Sequence, residues 1–298
     1  MDISICSFSF HRLLAAGKQD IFKYITDCKE LGATRLEPWI AHFGTGRSWQ
    51  PSLDAGADPE DVWSILGALM RQPPPVLRAG DDSAASIQDA DYLDRVKAAA
   101  AQVGLPFGGI AVDGAHIYEP TPEARQANRA FAYQWLDIAE KLGARQIRID
   151  AGGPEEMPDD VFRVIVEGYQ DLVAKGQEKG LEILMENHWG SSKIPENVVR
   201  ILEAVEGLGL LFDTGNWPAG MKEKGWRMCA KYARATHVKT FGFDAEGNDP
   251  SADTPKAMNI LMEAGYDGCW GIESCPKDGN EYEGARKTIA LIRNISSM

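Results

Sequence analysis

The sequence predicts a single (β/α)8 TIM barrel, and three observations carry that prediction. Strand-like and helix-like segments alternate almost from end to end. Counting them gives the eight βα units that close a barrel, within a length of 298 residues that such a barrel fills as one domain. No G-x-G-x-x-G or G-x-x-x-x-G-K-[ST] loop follows a strand, which disfavours the open, doubly wound sheet.

The elements follow in order. An apolar, β-prone start runs from Ile3 to Phe10, followed by helix over about Gln19 to Leu31 and a short strand from Thr34 to Trp39. After the 40–90 segment come a helix over about Ala90 to Val103 and a strand from Phe107 to Val112. Next is a long helix, for which Thr121 is a good N-cap, Pro122 suits the first helical position and Gly143 the end. Strands are then expected at Gln146–Asp150, Glu182–Glu186, Gly209–Asp213, Thr236–Lys239 and Cys269–Glu273. Helices are expected over about Asp159–Lys179, Glu196–Glu206, Gly220–Ala233, Thr254–Ala264 and Glu281–Asn294. Strict alternation implies parallel strands, because each parallel return needs a crossover.

The 40–90 segment is too long for an ordinary βα loop. It carries Gly44, Gly46, Pro51, Gly56, Pro59, the run Pro73-Pro74-Pro75 and Gly80, with a short helical pattern from Asp61 to Arg71. It is read as an insertion after the second strand of a one-domain barrel spanning 1–298. It is either a surface elaboration or a lid over the barrel mouth.

Composition narrows the function. Hydrophobic residues make up 44% and charged residues 25%, as in soluble globular proteins. No apolar run approaches the roughly 20 residues that span a bilayer. Met-Asp-Ile-Ser-Ile-Cys lacks a basic n-region, so no cleaved signal peptide is expected. Five cysteines (Cys6, Cys28, Cys229, Cys269, Cys275) form no C-x-x-C pair, which fits reduced thiols in a cytoplasmic protein. A net charge of −13 opposes nucleic-acid binding, which needs a basic face.

Four consecutive strands end on a metal-competent side chain. They read Leu-Glu-Ile-Leu-Met-Glu186, Leu-Gly-Leu-Leu-Phe-Asp213, Ala-Thr-His237-Val-Lys239 and Cys-Trp-Gly-Ile-Glu273. In a parallel barrel the C-terminal strand ends meet on one face, so these residues should converge. Converging carboxylates are costly to bury without a cation. Three oxygen donors and one nitrogen suit one divalent ion, with Mn²⁺ the first expectation and Mg²⁺, Co²⁺, Ni²⁺ or Zn²⁺ as alternatives. No nucleotide cofactor is indicated. His11, Glu37, His116, Arg148, His188, Asn216 and Lys239 fall at or just beyond strand ends and are candidate substrate contacts. Trp39, Trp189 and Trp217 are candidate apolar walls.

Together, Glu186-Asn187-His188, Asp213-Thr214-Gly215-Asn216, His237-Val238-Lys239 and Gly271-Ile272-Glu273 resemble the signature strand ends of the xylose isomerase-like TIM-barrel superfamily, in its sugar phosphate isomerase/epimerase group. Leu31-Gly-Ala-Thr-Arg-Leu-Glu37 is similar to that family's second strand and Leu142-Gly-Ala-Arg-Gln-Ile-Arg148 to its fourth. The resemblance implies metal binding by Glu186, Asp213, His237 and Glu273. It also implies proton transfer at carbon by Glu186 and Glu273, with the metal stabilising an enediolate. It implies a small-molecule sugar or sugar-acid substrate, and homo-oligomers occur in the group. Asn-His-Trp-Gly after Glu186 and Val-Lys after His237 depart from the ketose 3-epimerase pattern.

Other outcomes stay open at this stage. A dehydratase or lyase acting on a keto-sugar or keto-glycoside shares the first proton abstraction. A non-catalytic sugar-binding barrel would keep the ligands without turnover. An abasic-site endonuclease needs a larger histidine set than His11, His42, His116, His188 and His237, and a different charge.

Overall fold

The computed structural model describes residues 1–43 and 90–297. Most of the 40–90 insertion, with its helical pattern at Asp61 to Arg71, lies outside the described residues.

Eight strands form one parallel sheet: β1 Ile3–Cys6, β2 Arg35–Glu37, β3 Gly109–Val112, β4 Gln146–Ile149, β5 Glu182–Glu186, β6 Gly209–Asp213, β7 Ala233–Thr240 and β8 Trp270–Ser274. Their order is β2-β1-β8-β7-β6-β5-β4-β3, so only the β2–β3 seam separates the sheet from a closed ring. Isolated parallel bridges, Leu36 to Phe107 and Trp39 to Ala111, stitch that seam. Helices α1 His11–Ala15, α2 Ile21–Leu31, α3 Ala90–Val103, α4 Pro122–Leu142, α5 Asp159–Glu178, α6 Pro195–Ala204, α7 Lys222–Cys229, α8 Thr254–Glu263 and α9 Glu281–Ile295 lie between and after the strands. This is the predicted α/β TIM barrel.

Local chemistry sets the boundaries. Asp20 caps α2 by accepting from Lys23 N at 2.8 Å. Thr121 caps α4 through Ala124 N, with Pro122 in the first turn and Gly143 closing the helix at φ 74°. The outer strand faces and the inward faces of the helices share one apolar core, in which Tyr24, Tyr169, Phe10 and Phe212 are fully buried. Tyr24 and Tyr169 each turn their hydroxyl onto a strand carbonyl, of Ile5 at 2.6 Å and Ile149 at 2.7 Å. Burial therefore leaves neither phenol unsatisfied.

Three departures from the expected boundaries have a local cause. The run Ile3 to Phe10 is strand only to Cys6 and then turns as a 3-10 helix, Ser7–Phe10. Ser7 and Ser9 cause the exit: their hydroxyls accept from Trp39 N and Ser274 N, taking over bonds that strand carbonyls would make. The second strand ends at Glu37 rather than Trp39, because Pro38 has no N–H to continue the ladder. Helix α7 stops at Cys229, and β7 begins at Ala233, three residues earlier than Thr236. Ala233-Arg-Ala carries no β-branched signal, and it joins β6 through a register shift at Leu210/Leu211.

Candidate active site

Strand alternation points every second residue into the barrel lumen. On β5 to β8 this brings Glu186, Asp213, His237, Lys239 and Glu273 to the C-terminal mouth, all buried. Asp213 pairs in register with His237, and Lys239 with Glu273. One donor atom each from Glu186, Asp213, His237 and Glu273 lies within 4.8 Å of the other three. His237 Nδ1 is central to the group. It is 2.9 Å from Glu273 Oε2, 3.3 Å from Glu186 Oε1 and 4.0 Å from Asp213 Oδ2.

Each member is held from behind. Asp213 Oδ1 accepts from the backbone N–H groups of Gly215 and Asn216, which frees Oδ2 for the centre. Asn187 bridges β5 to β6, donating to Asp213 O and accepting from Asp213 N, both at 2.9 Å. His237 Nε2 lies 2.7 Å from Glu37 Oε1, and Glu37 Oε2 accepts from Ser4 Oγ at 2.6 Å. Gly271 leaves room for this pair, since a Cβ there would sit 2.1 Å from Thr236 O and 2.9 Å from Glu37 Oε2. Gly215 does the same for Lys239, whose own Cβ would lie 2.9 Å from a side chain placed there.

Charge is finely divided. Lys239 Nζ is 2.7 Å from Glu273 Oε1, 3.2 Å from Asp213 Oδ2 and 3.0 Å from Asn216 Oδ1. Burial would raise the Glu273 carboxyl, but Lys239 and His237 outweigh it and hold it well below its usual range. Glu186 is likewise lowered: burial opposes, while His188, Arg148 and His237 prevail. Asp213 goes the other way. Burial and the charges of Glu273 and Glu186 raise it despite Lys239. Burial works against protonating His237, yet Glu37, Cys6 and Glu186 still raise it well above its usual range. A centre that strains Asp213 and draws protons onto its imidazole has unmatched negative charge. A divalent cation fits that deficit and the donor set of three carboxylates and one imidazole.

The other expected contacts fall into groups. His188 lies beyond Glu186 with Nδ1 3.2 Å from Asp150 Oδ2. Burial lowers it, but Glu186 and Asp150 dominate and push it up to about 9. His116 stacks edge-on against Trp189, with centroids 4.3 Å apart, so these two form one corner of the mouth. At another corner His11 stacks on Phe8 at 4.6 Å, and Phe8 meets the Trp39 ring edge-on at 5.1 Å. Trp39 Nε1 donates to Asp113 at 2.7 Å. His11 donates from Nδ1 to Phe8 O at 2.8 Å, and burial lowers its pKa to about 4. Its Nε2 is thus a buried acceptor with no hydrogen-bond partner among the described residues. Asn216 donates to Glu186 Oε1 at 3.1 Å. Arg148 lies deeper than a mouth residue and is ringed by Asp113, Asp150 and Glu186: its Nη1 donates to both aspartates, while its Nε approaches Glu186 as a charge contact without hydrogen-bond geometry. Glu37 also lies below the mouth, behind His237. Trp217 does not form a wall: it is buried against Phe212 and over Gly225, where a Cβ would lie 2.5 Å from its ring.

Sequence reasoning missed Ser4, and it read Asp150, at the end of the fourth strand, only as a residue lining the mouth rather than as the partner of Arg148 and His188. Both were detectable as inward positions, two residues from Cys6 and Arg148 on their strands. A cavity of about 280 Å³ opens from the N-terminal face and reaches Ser4, Glu37 and Arg148 from below, so the layer under the centre is polar and partly hollow.

A parallel eight-stranded barrel with acid and imidazole side chains gathered at the C-terminal strand ends defines a TIM-barrel protein of the metal-competent kind. Residues 73–295 match the family described as xylose isomerase-like TIM barrel, and the chain belongs to that family. No curated protein matches the sequence. Among solved structures it is similar to the probable 3-DHS dehydratase AsbF, involved in petrobactin synthesis, from Bacillus anthracis: 11% identity, 98% of this chain and 99% of that one, TM-score 0.67. It is similar to D-allulose 3-epimerase from Methylomonas sp.: 14% identity, 99% and 98%, TM-score 0.65. It is also similar to an L-ribulose 3-epimerase: 14% identity, 99% and 94%, TM-score 0.66. At these identities the likeness shows a shared fold. Among the described residues no helix is long and apolar enough to cross a membrane, and all five cysteines are free.

Proposed function

We propose that this chain is a divalent-metal-dependent isomerase or epimerase of a sugar or sugar derivative, working as one (β/α)8 domain. The convergence of Glu186, Asp213, His237 Nδ1 and Glu273 carries the reading. These four would hold the ion, with Mn²⁺ the first choice. Bound there, it would hold adjacent substrate oxygens and stabilise the charge that develops on a carbonyl oxygen.

The protein's own groups supply the rest. A C–H beside a carbonyl gives up its proton only to a base that is already ionised and within reach. Against the cost of burial, His188 and Arg148 keep Glu186 ionised, and Lys239 and His237 do so for Glu273. The two carboxylates reach the centre from β5 and β8, on either side of His237. One can therefore take a proton from carbon while the other returns one. Lys239 and Asn216 would donate to substrate oxygens, and the corners formed by Phe8, His11 and Trp39 and by His116, His188 and Trp189 would position the ring. The similarity in fold to two named 3-epimerases is in keeping with a sugar substrate.

The test is metal content. Wild type purified without chelator and reloaded with Mn²⁺ should retain about one ion per chain. A Glu186→Ala/Asp213→Ala variant should retain none. Equal binding by the two proteins would end the metal reading. With a substrate in hand, unchanged product mass supports isomerisation. Loss of water or of an aglycone would instead establish the dehydratase or lyase outcome, which uses the same first step.

A further inference from the structure

A second set of metal-competent atoms adjoins the first. Asp150, Glu186 and His188 each offer one ligand atom within 4.8 Å of the others, and Glu186 belongs to both sets. Two sets sharing a carboxylate are the ordinary ingredients of a two-ion centre. Here, however, a guanidinium lies among the oxygens of the second set. Arg148 Nη1 donates to Asp150 Oδ2 at 3.0 Å, and Arg148 Nε lies 3.0 Å from Glu186 Oε2 as a charge contact, without the angle of a hydrogen bond. Nη1 is also 2.6 Å from Asp113 Oδ1, which fixes the far side of the fork. Arg148 on β4 and Asp150 just beyond its end are two residues apart and are turned to the same inward side. A guanidinium is always charged, and its planar fork can serve two carboxylates at once.

Glu186 is split accordingly. Its Oε1 faces His237 Nδ1 at 3.3 Å and Asn216 Nδ2 at 3.1 Å, within the first set, while its Oε2 faces Arg148. His188 is likewise engaged, with Nδ1 on Asp150 Oδ2. Asp150 Oδ1 is buried with no hydrogen-bond partner among the described residues, so this half-site keeps one oxygen that a cation could use.

We propose that Arg148 is a built-in cation that takes the place of a second metal ion, limits the centre to a single ion and aims one oxygen of Glu186 into it. This rests on the metal reading above. It also makes Arg148 a positioning residue, acting through Glu186. A single-ion centre suits proton transfer beside a carbonyl, and it lacks the paired clamp used for in-line displacement at phosphorus.

Metal stoichiometry tests this on the full chain. The protein is equilibrated with excess Mn²⁺, desalted and assayed for bound metal. Wild type should hold about one ion and Arg148→Ala about two, as expected when a carboxylate-bridged pair can form. The variant should also show a spin-coupled Mn²⁺ EPR signal absent from wild type. Adding His188→Ala should return the count to that of wild type. Should Arg148→Ala not fold, Arg148→Gln removes the same charge with less loss of volume, and the same count applies. A folded variant that binds no extra ion overturns the proposal. Two ions in wild type overturn it while leaving the proposed function standing, and no ion in wild type removes the proposed function as well.

Discussion

Glu37 Oε1 lies 2.7 Å from His237 Nε2, so the other nitrogen of the same ring, Nδ1, is the one turned towards Glu186 and Glu273. A carboxylate behind an imidazole ligand fixes the tautomer and strengthens the donor. Glu37→Gln should therefore weaken Mn²⁺ binding by roughly 10- to 100-fold with the fold intact. Calorimetric titration checks this, and an unchanged affinity would remove Glu37 from the centre. Ser4→Ala loses only the hydrogen bond to Glu37 Oε2, so its effect should be smaller.

Lys239 acts in the opposite sense. Its ammonium contacts Asp213 and Glu273, whose oxygens a divalent ion would also use. Lys239→Met should leave Mn²⁺ affinity undiminished and raise it by up to about tenfold, equivalent to one pKa unit of charge interaction. Turnover should fall, because a donor to the substrate is lost. An affinity lower than wild type would mean that Lys239 organises the ligands rather than competing for them.

Gly271→Ala should destabilise the protein by about 1–3 kcal/mol, the usual cost of overpacking. The new methyl meets the Thr236 carbonyl first and the Glu37 carboxylate next, both on packed strands. Urea unfolding would show a lower midpoint with an unchanged slope. A midpoint equal to wild type would mean that the strands yield freely here.

Acid should expose His42. Its Nδ1 accepts from Ser7 Oγ at 2.9 Å, and its Nε2 donates to Gln19 Oε1 at 3.1 Å. Burial, helped by His11, lowers its pKa to about 3. The unfolded chain takes up a proton below about pH 6.5 while the native state resists until about 3, so stability is lost as pH falls through that window. Between pH 6.5 and 4.5 the loss from this group is about 2–3 kcal/mol. Glu281 works the other way. Burial, opposed by the Arg12 and Leu13 N–H groups, raises it to about 7, so its contribution shrinks as pH rises from about 4.5 towards 7. Urea titrations of wild type and His42→Gln at both ends of the window isolate the histidine. Parallel pH profiles would refute its role.

The barrel was legible because each strand ends where an apolar run meets a polar residue. That rule placed Glu186, Asp213, His237 and Glu273 on one face, and the structure gathers them there. The layer beneath was not legible. Whether Glu37 faces substrate or the back of His237 depends on contacts across the lumen, between residues 200 positions apart. Arg148 looked like a mouth residue for the same reason, since only the fold shows that Asp113, Asp150 and Glu186 surround it. The early exit of the chain after Cys6 was hidden because Ser7 and Ser9 act through hydroxyls onto distant backbone, which periodicity does not register.

The β2–β3 seam lies across the ring from the β6–β7 pair that carries Asp213 and His237. A hoop flexes most at its weakest joint, and the four candidate ligands sit on the arc furthest from it. Glu37 and Arg148 are different: Glu37 stands on β2 at the seam and Arg148 on β4, one strand in from it, and each reaches across to a member of that arc. Any widening of the joint would be felt as tension on His237 and Glu186 through these two struts, before neighbouring ligands shifted against one another.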